Sequence, residues 1–204
     1  MKQRLTPQIN KYIIIRKLLH VGAAIVPLSY YVLPHPVYSY IIVLLTTIAI
    51  VIELFRFKNT KFRAFFYGMV GSLLWEKEKK IPTGATFFLI SATISIFIFS
   101  PPVAVAVLLF LAIGDTVAYL VRDLMDKTTI FGKMSPEGVL GSFLVCIPIA
   151  LWIPNLPLKI GLIGALISSL VEIIPWDVDD NLSVPLITGM VMQLLIWTKP
   201  SILL

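Results

Sequence analysis

The chain has 204 residues, of which 58% are hydrophobic and only 14% charged, whereas soluble domains carry about 25% charged residues. That balance excludes an ordinary water-soluble domain, and several apolar stretches reach the roughly 20 residues needed to cross a bilayer core. The net charge of +6 is spread among these stretches, which points away from nucleic acid and toward membrane lipid head groups or a phosphorylated substrate.

The fold expected is all-α: a polytopic membrane helical bundle of about seven transmembrane helices, with residues 1–204 forming a single integral-membrane domain. A basic N-terminal stretch leads into the first crossing at 12–33. This segment carries Arg16, Lys17 and His20 and lacks a small-residue cleavage site, so it reads as a retained helix and not as a cleaved signal peptide. Further crossings are predicted at 37–55, 83–100, 102–122, 138–154, 157–175 and 183–199. Between the second and third, Phe62, Phe65, Phe66, Met69, Val70, Leu73 and Leu74 follow the three-four spacing of an amphipathic interfacial helix. The single cysteine, Cys146, lies in an apolar segment and cannot form an intramolecular disulfide. No internal repeat marks the inverted halves common in transporters.

Charge gives the expected orientation. With a cytoplasmic N-terminus, the external connections and the C-terminal end hold only Lys159 and Lys199 of the seventeen Lys and Arg residues, as the positive-inside rule requires. All eleven acidic residues, from Glu53 to Asp180, fall on the cytoplasmic side too, although that rule does not govern them. Interspersed carboxylates and cations at helix ends point to a polar site facing the cytoplasm.

In "RKLLHVG" on the first crossing, Arg16 and His20 share one helical face, with Lys17 on an adjoining one. Such a cluster can grip phosphate oxygens; the alternative is snorkelling of Arg16 and Lys17 to head groups, with His20 hydrogen-bonded inside the bundle. Glu53 and Arg56, three residues apart, read as a surface ion pair closing the second crossing. In "PTGATFF", Thr83 and Thr86 are candidate helix caps, and Gly84 permits close approach of a ligand or helix.

On the fourth crossing Asp115, Tyr119 and Arg122 project along one face, and a rise of about 1.5 Å per residue puts Asp115 roughly 10 Å deeper than Arg122. A lone carboxylate there costs several kcal/mol unless it is protonated, paired or metal-bound. Pairing with Arg16 is the structural alternative to a metal, ligand or proton role. In "GKMSPEGVLGS", Ser135 and Pro136 suit a helix start, Glu137 suits its dipole, and Gly138 and Gly141 expose backbone. Free N–H groups there, with Lys133, offer a phosphate site, though the spacing is not that of a Walker loop. Finally, Glu172, Asp177, Asp179, Asp180 and Asn181 crowd the turn between the last two crossings. These hard oxygen donors suit Mg²⁺, which keeps water and substrate phosphate in its shell. Helix capping competes with that role at Asp180 and Asn181.

Taken in order, "RKLLHVG", "GDTVAYL", "SPEGVLGSF" and "VEIIPWDVDDNLSVPL", within residues 16–189, resemble the CTP-dependent lipid kinases that include dolichol, polyprenol and phytol kinases, with related diacylglycerol kinases. The resemblance implies transfer of the terminal phosphoryl group of CTP to the hydroxyl of a lipid alcohol, with a divalent metal. It carries site roles to Arg16, Lys17, His20, Gly114, Asp115, Glu137, Gly138, Glu172, Asp180 and Asn181. Two positions depart from the family pattern. Arg122-Asp123 stands where a glycine-and-basic stretch is usual, and Met134-Ser135 replaces a lysine-threonine pair, with Lys133 one place earlier as the substitute.

The function expected is therefore that of an Mg²⁺-dependent lipid alcohol kinase with its active face in the cytoplasm. Asp115, His20 and Glu172 are the candidate catalytic groups, and Asp115, Glu172, Asp179 and Asp180 the candidate metal ligands. Arg16, Lys17, Gly114, Arg122, Lys133, Glu137, Gly138 and Asn181 are expected to hold the nucleotide. The alternatives are a phospholipid cytidylyltransferase using CTP and an ion- or proton-coupled transporter. A lack of acidic residues on the predicted external half counts against the transporter.

Overall fold

The computed structural model describes residues 11–125, 129–130, 133–175 and 177–198. The N-terminal stretch 1–10 and Lys199, both used in the orientation expected from sequence, lie outside the described residues. Among the described residues all regular structure is helical, and each segment expected to cross the membrane contains helix.

Helices α1 (Lys11–Gly22) and α2 (Ile25–Ser29) make the first segment. Pro34 and Pro36 then start the 24-residue α3 (His35–Lys58), since proline is preorganised for a first turn and needs no partner for a missing N–H. Asn59 separates α3 from α4 (Thr60–Val70), its side chain accepting from the N–H groups of Lys61 and Phe62 at 2.9 and 3.0 Å. The amphipathic helix is thus shorter than its apolar spacing predicts. Leu73 ends a 3₁₀ turn after it, and Leu74 leaves in an extended conformation.

Thr83 caps α5 (Gly84–Ile98), its hydroxyl accepting from Thr86 N–H. The fourth segment is not one continuous α-helix. It runs through α6 (Pro101–Leu109), a π turn (Phe110–Gly114) and α7 (Asp115–Met125). A π turn inserts one residue into the helical register and is frequent at functional positions; here it ends directly before Asp115. Then come α8 (Pro136–Trp152), α9 (Leu158–Val171) and α10 (Asp180–Thr198). The tight turn between α8 and α9 places Asn155 in the left-handed region at φ 59°, a conformation asparagine tolerates better than most residues.

Residues 103–112, on α6 and the π turn, are all buried and form the centre of the bundle. Helices α3, α5, α10, α9, α8 and α7 follow one another around it, each packed on the next. Small residues allow the close approaches: a Cβ on Gly164 of α9 would stand 2.3 Å from the sulfur of Met192 on α10. Outward surfaces are greasy, with Leu18, Tyr40 and Leu44 exposed on α1 and α3, as expected of a bundle whose solvent is lipid.

Among the described residues, four stretches are long and apolar enough to cross a membrane: Tyr12–Ser29, His35–Lys58, Pro101–Leu124 and Asp180–Thr198. The remaining apolar helices, Gly84–Ile98, Pro136–Trp152 and Leu158–Val171, are shorter. Tyr30, Tyr38, Tyr31 and Trp152 cluster edge to face, with Tyr30 to Tyr38 at 5.3 Å and Tyr31 to Trp152 at 6.0 Å between ring centroids. The ionisable residues gather at the other helix ends: the close of α9, the starts of α7 and α10, and the turn before α5.

Candidate functional site

Five cationic side chains (Arg16, Lys17, Lys77, Arg122 and Lys133) and four carboxylates (Asp115, Glu172, Asp179 and Asp180) line a cavity of about 320 Å³ with His20 and Asn181. Most are paired with each other. Lys17 Nζ donates to Asp115 Oδ2 at 2.7 Å, and His20 Nε2 stands 3.4 Å from the same oxygen and 3.3 Å from the Leu111 carbonyl. Lys133 Nζ donates to both oxygens of Asp180, at 2.9 and 3.2 Å, and to the Ile174 carbonyl at 2.9 Å. Lys77 Nζ donates to Asp179 Oδ2 at 2.8 Å. Arg122 donates to the Lys133 carbonyl at 2.5 Å, which fixes the segment before α8 against α7.

The pairing expected between Asp115 and Arg16 is not found. Lys17 takes Asp115, while Arg16 turns to Glu78, donating at 2.6 and 3.0 Å, and to the Leu73 carbonyl at 2.7 Å. The reason is geometric: Lys17 and His20 are also helical neighbours, at i and i+3, and it is their face that meets the π turn and α7.

Glu78 was hidden from sequence reading in the charged run "EKEKK". It is buried, and its carboxylate also accepts from Trp75 N–H and Gly84 N–H, each at 2.7 Å. Burial pushes this carboxyl toward its neutral form, but the Arg16 guanidinium and the two N–H donors outweigh it and hold its pKa below the ordinary value. Burial likewise acts on Asp179, and Lys77 and Asn181 outweigh it to the same effect.

The Glu53–Arg56 pair is not on the surface. Arg56 is 0% exposed, pairs with Glu53, and donates to the carbonyls of Glu78 at 2.7 Å and Ile81 at 2.8 Å. Glu53 in turn accepts from Thr83 N–H at 2.7 Å and the Thr86 hydroxyl at 3.2 Å. The pair therefore pins the segment 75–83, which delivers Trp75, Lys77 and Glu78 to the site. Those three residues were missed in sequence; the one local signal was a tryptophan set in a charged run just before a helix cap.

Several expected roles are corrected. Asp179, not Asp180 or Asn181, caps α10: its Oδ1 accepts from Asn181 N–H at 3.2 Å and Asn181 Nδ2 at 2.7 Å. With Oδ2 held by Lys77, both of its oxygens are engaged within the protein, as are those of Asp180 by Lys133. The N–H of Gly138 is not free for phosphate, since it donates to Ser135 Oγ at 3.1 Å. Gly138 serves close packing instead, because a Cβ there would stand 2.8 Å from the Ala118 carbonyl of α7. Gly114 does the same against α8, where a Cβ would meet Ser142 Oγ at 2.8 Å. Glu137 lies in the first turn of α8, and neither it nor these two glycines lines the cavity. Asp177 is exposed.

Glu172, at the close of α9, differs from the other carboxylates. It is 2% exposed, and neither oxygen has a hydrogen-bond partner among the described residues. A buried carboxylate without a partner is costly, and a ligand that supplies one relieves the cost. Among the described residues no three His, Cys, Asp or Glu side chains gather as a closed metal cage. Mg²⁺ rarely uses such a cage, taking one or two carboxylates with water and phosphate oxygens. Glu172, with Asp180 and Asp115 in the same cavity, suits a metal that arrives with phosphate.

A second cavity of about 500 Å³ adjoins the first and shares Arg16, His20 and Asn181 with it. Its walls are mostly apolar: Leu19, Ala23 and Val26 from α1, Ala49 and Ile52 from α3, Phe66 and Val70 from α4, Phe88 and Leu89 from α5. Gly84 stands at the boundary, where a Cβ would come within 2.8 Å of Asn181 Nδ2 and 3.5 Å of the Arg16 guanidinium. A charged chamber thus opens beside a greasy one. No known protein family, curated protein or solved structure matches this chain.

Proposed function

We propose that the chain is an integral-membrane kinase that transfers the terminal phosphoryl group of CTP to the hydroxyl of a lipid alcohol, a polyprenol- or dolichol-like isoprenoid. The observation that carries this reading is the junction of the two cavities at Arg16, His20 and Asn181. A polyphosphate with its metal suits the charged chamber, an isoprenoid tail suits the apolar one, and the hydroxyl between them would meet the phosphate at His20 and Asp115. In support, residues from three motifs distant in sequence line the polar chamber: Arg16, Lys17 and His20; Asp115 and Tyr119; Glu172, Asp180 and Asn181. The reading includes seven crossings, an N-terminus in the cytoplasm, and the charged helix ends at the cytoplasmic face.

In this scheme Lys17, Arg122 and Lys133 hold phosphate oxygens, and Arg16 stands where the lipid and nucleotide chambers meet. Glu172 and Asp180, with Asp115, are the groups that would hold Mg²⁺, which when bound offsets phosphate charge. The lipid oxygen bonds to the terminal phosphorus, the bond to the bridging oxygen breaks, and the nucleoside diphosphate leaves. The hydroxyl proton passes to Asp115 or His20, which stand 3.4 Å from each other at the junction. The rest of the catalysis is positioning and charge stabilisation.

The test is incubation of the purified protein with Mg²⁺, terminally labelled nucleotides and a panel of lipid alcohols. The reading expects label to move to lipid and nucleoside diphosphate to appear. Release of pyrophosphate would identify a cytidylyltransferase instead, and substrate flux in sealed vesicles without nucleotide turnover would identify a transporter.

A further inference from the structure

The polar chamber has one feature that phosphate and metal binding leave unused. Trp75 and Tyr119 are the aromatic side chains lining it among the described residues. The Tyr119 ring is engaged by two cations, Lys17 Nζ at 4.6 Å and the Arg122 guanidinium at 4.7 Å from its centroid. Trp75 is 43% exposed although it sits on a backbone held at both polar groups. Its N–H donates to Glu78 Oε2 at 2.7 Å, and its carbonyl accepts from Glu78 N–H at 2.9 Å. The Arg16 guanidinium stands over the ring, 5.3 Å from its centroid, and both side chains line the chamber.

We propose that Trp75 is the stacking platform for the nucleobase of the phosphoryl donor. The inference rests on the reading of the polar chamber as a nucleoside triphosphate site. An indole face is a platform for any base, since every base has a π surface. Lys17, Arg122 and Lys133 belong to α1, α7 and the segment before α8, while Trp75 comes, with Lys77, from the separate segment 75–83. A nucleotide held by its phosphates at Lys17, Arg122 and Lys133 would present its base to Trp75 across the same chamber. Arg16 links the two functions, touching Trp75 on one side and bordering the lipid chamber on the other.

The experiment uses the full chain in lipid nanodiscs with Mg²⁺ and compares equilibrium binding of CTP with that of inorganic triphosphate, which has no base. Trp75→Ala is expected to weaken CTP binding roughly 10- to 100-fold, as for loss of one base–aromatic stack, and to leave triphosphate binding within about two-fold. Trp75→Phe restores most of the CTP affinity. Trp75→Leu keeps an apolar side chain without a π face and stands in if the alanine variant does not fold. Equal loss of both ligands in the alanine and leucine variants would overturn the proposal, because it reports a structural role. Unchanged CTP binding would overturn it too, and would leave Trp75 as an anchor at the membrane interface. Wild-type protein that binds triphosphate as tightly as CTP refutes the stack but keeps the polyphosphate chamber, whereas wild-type protein that binds neither refutes the kinase reading itself.

Discussion

Glu78→Gln is the sharpest probe of how this fold holds its site. The substitution preserves volume but replaces one carboxylate oxygen with an amide nitrogen, which donates instead of accepting. Four donors converge on Glu78: two nitrogens of Arg16 at 2.6 and 3.0 Å, and the N–H groups of Trp75 and Gly84 at 2.7 Å. Glutamine can satisfy those on one oxygen only, so about two buried donors lose their acceptor at about 1–3 kcal/mol each. Arg16 keeps 27% of its side-chain exposure and recovers some hydration, which places the net loss near 3 kcal/mol, the low end for breaking a buried pair. At about 2–4 °C per kcal/mol for a chain of this size, Tm falls by roughly 6–12 °C. The assay is thermal unfolding of the purified protein in detergent followed by far-UV circular dichroism, with CTP binding measured on the same samples well below Tm. CTP binding is expected to weaken as well, because Arg16 and Trp75 lose their common support. A Tm within about 1 °C of wild type would refute the convergence of donors on Glu78, since even one lost acceptor exceeds that shift.

Asp115→Asn is expected to abolish phosphoryl transfer while the protein stays folded in the membrane, because Lys17 and His20 lose a charged partner but no packing volume; normal transfer rates would remove Asp115 from the site. Gly138→Ala puts a Cβ 2.8 Å from the Ala118 carbonyl and should cost about 1–3 kcal/mol of stability, read as a lowered Tm. Acid should unfold the protein through Glu78 and Asp179, whose ordinary carboxyl pKa values are 4.5 and 3.8 and are lowered in the fold. Each is charged more readily folded than unfolded, so its contribution is complete above the ordinary value and is lost as pH falls through the lowered one. Tm measured against pH should therefore be level above about pH 5 and drop below about pH 4, with a shallower drop in Glu78→Gln. Mg²⁺ should also raise the affinity for inorganic triphosphate by at least about tenfold, as titration calorimetry with and without the metal would report.

The helices were legible because their signals are local. Apolar runs, the prolines at 34, 36, 101 and 136, and the caps Thr83 and Ser135 each act within a turn of the chain. The π turn before Asp115 was not legible, since its extra residue reflects packing of the α6 end against other helices and leaves no pattern of its own. Arg16, Lys17, His20, Asp115, Glu172 and Asp180 were readable as site candidates because charge inside apolar sequence is conspicuous. Their partners were not readable: Arg16 lies 62 positions from Glu78 and Lys17 lies 98 from Asp115, and helical spacing cannot tell which of two neighbouring cations turns inward. The burial of Glu78 within "EKEKK" depends on Arg56 and Arg16, both far upstream, so the run looks solvated on its own.

The polar chamber is built from cation–carboxylate pairs, and this arrangement solves a problem of charge. Lys17 with Asp115, Lys77 with Asp179 and Lys133 with Asp180 balance each other at a membrane boundary, where an unpaired ion would be expensive. A polyphosphate arriving alone must take lysines from their aspartates and leave those carboxylates stranded. A divalent cation arriving alone has the opposite problem with the lysines. Arriving together they would satisfy both sets, since the lysines would hold phosphate oxygens and Asp180 and Glu172 would hold the metal. On the proposed kinase reading the site would therefore favour the metal–polyphosphate complex over either component, and Glu172, whose oxygens have no hydrogen-bond partner among the described residues, is the carboxylate that would gain most from its arrival.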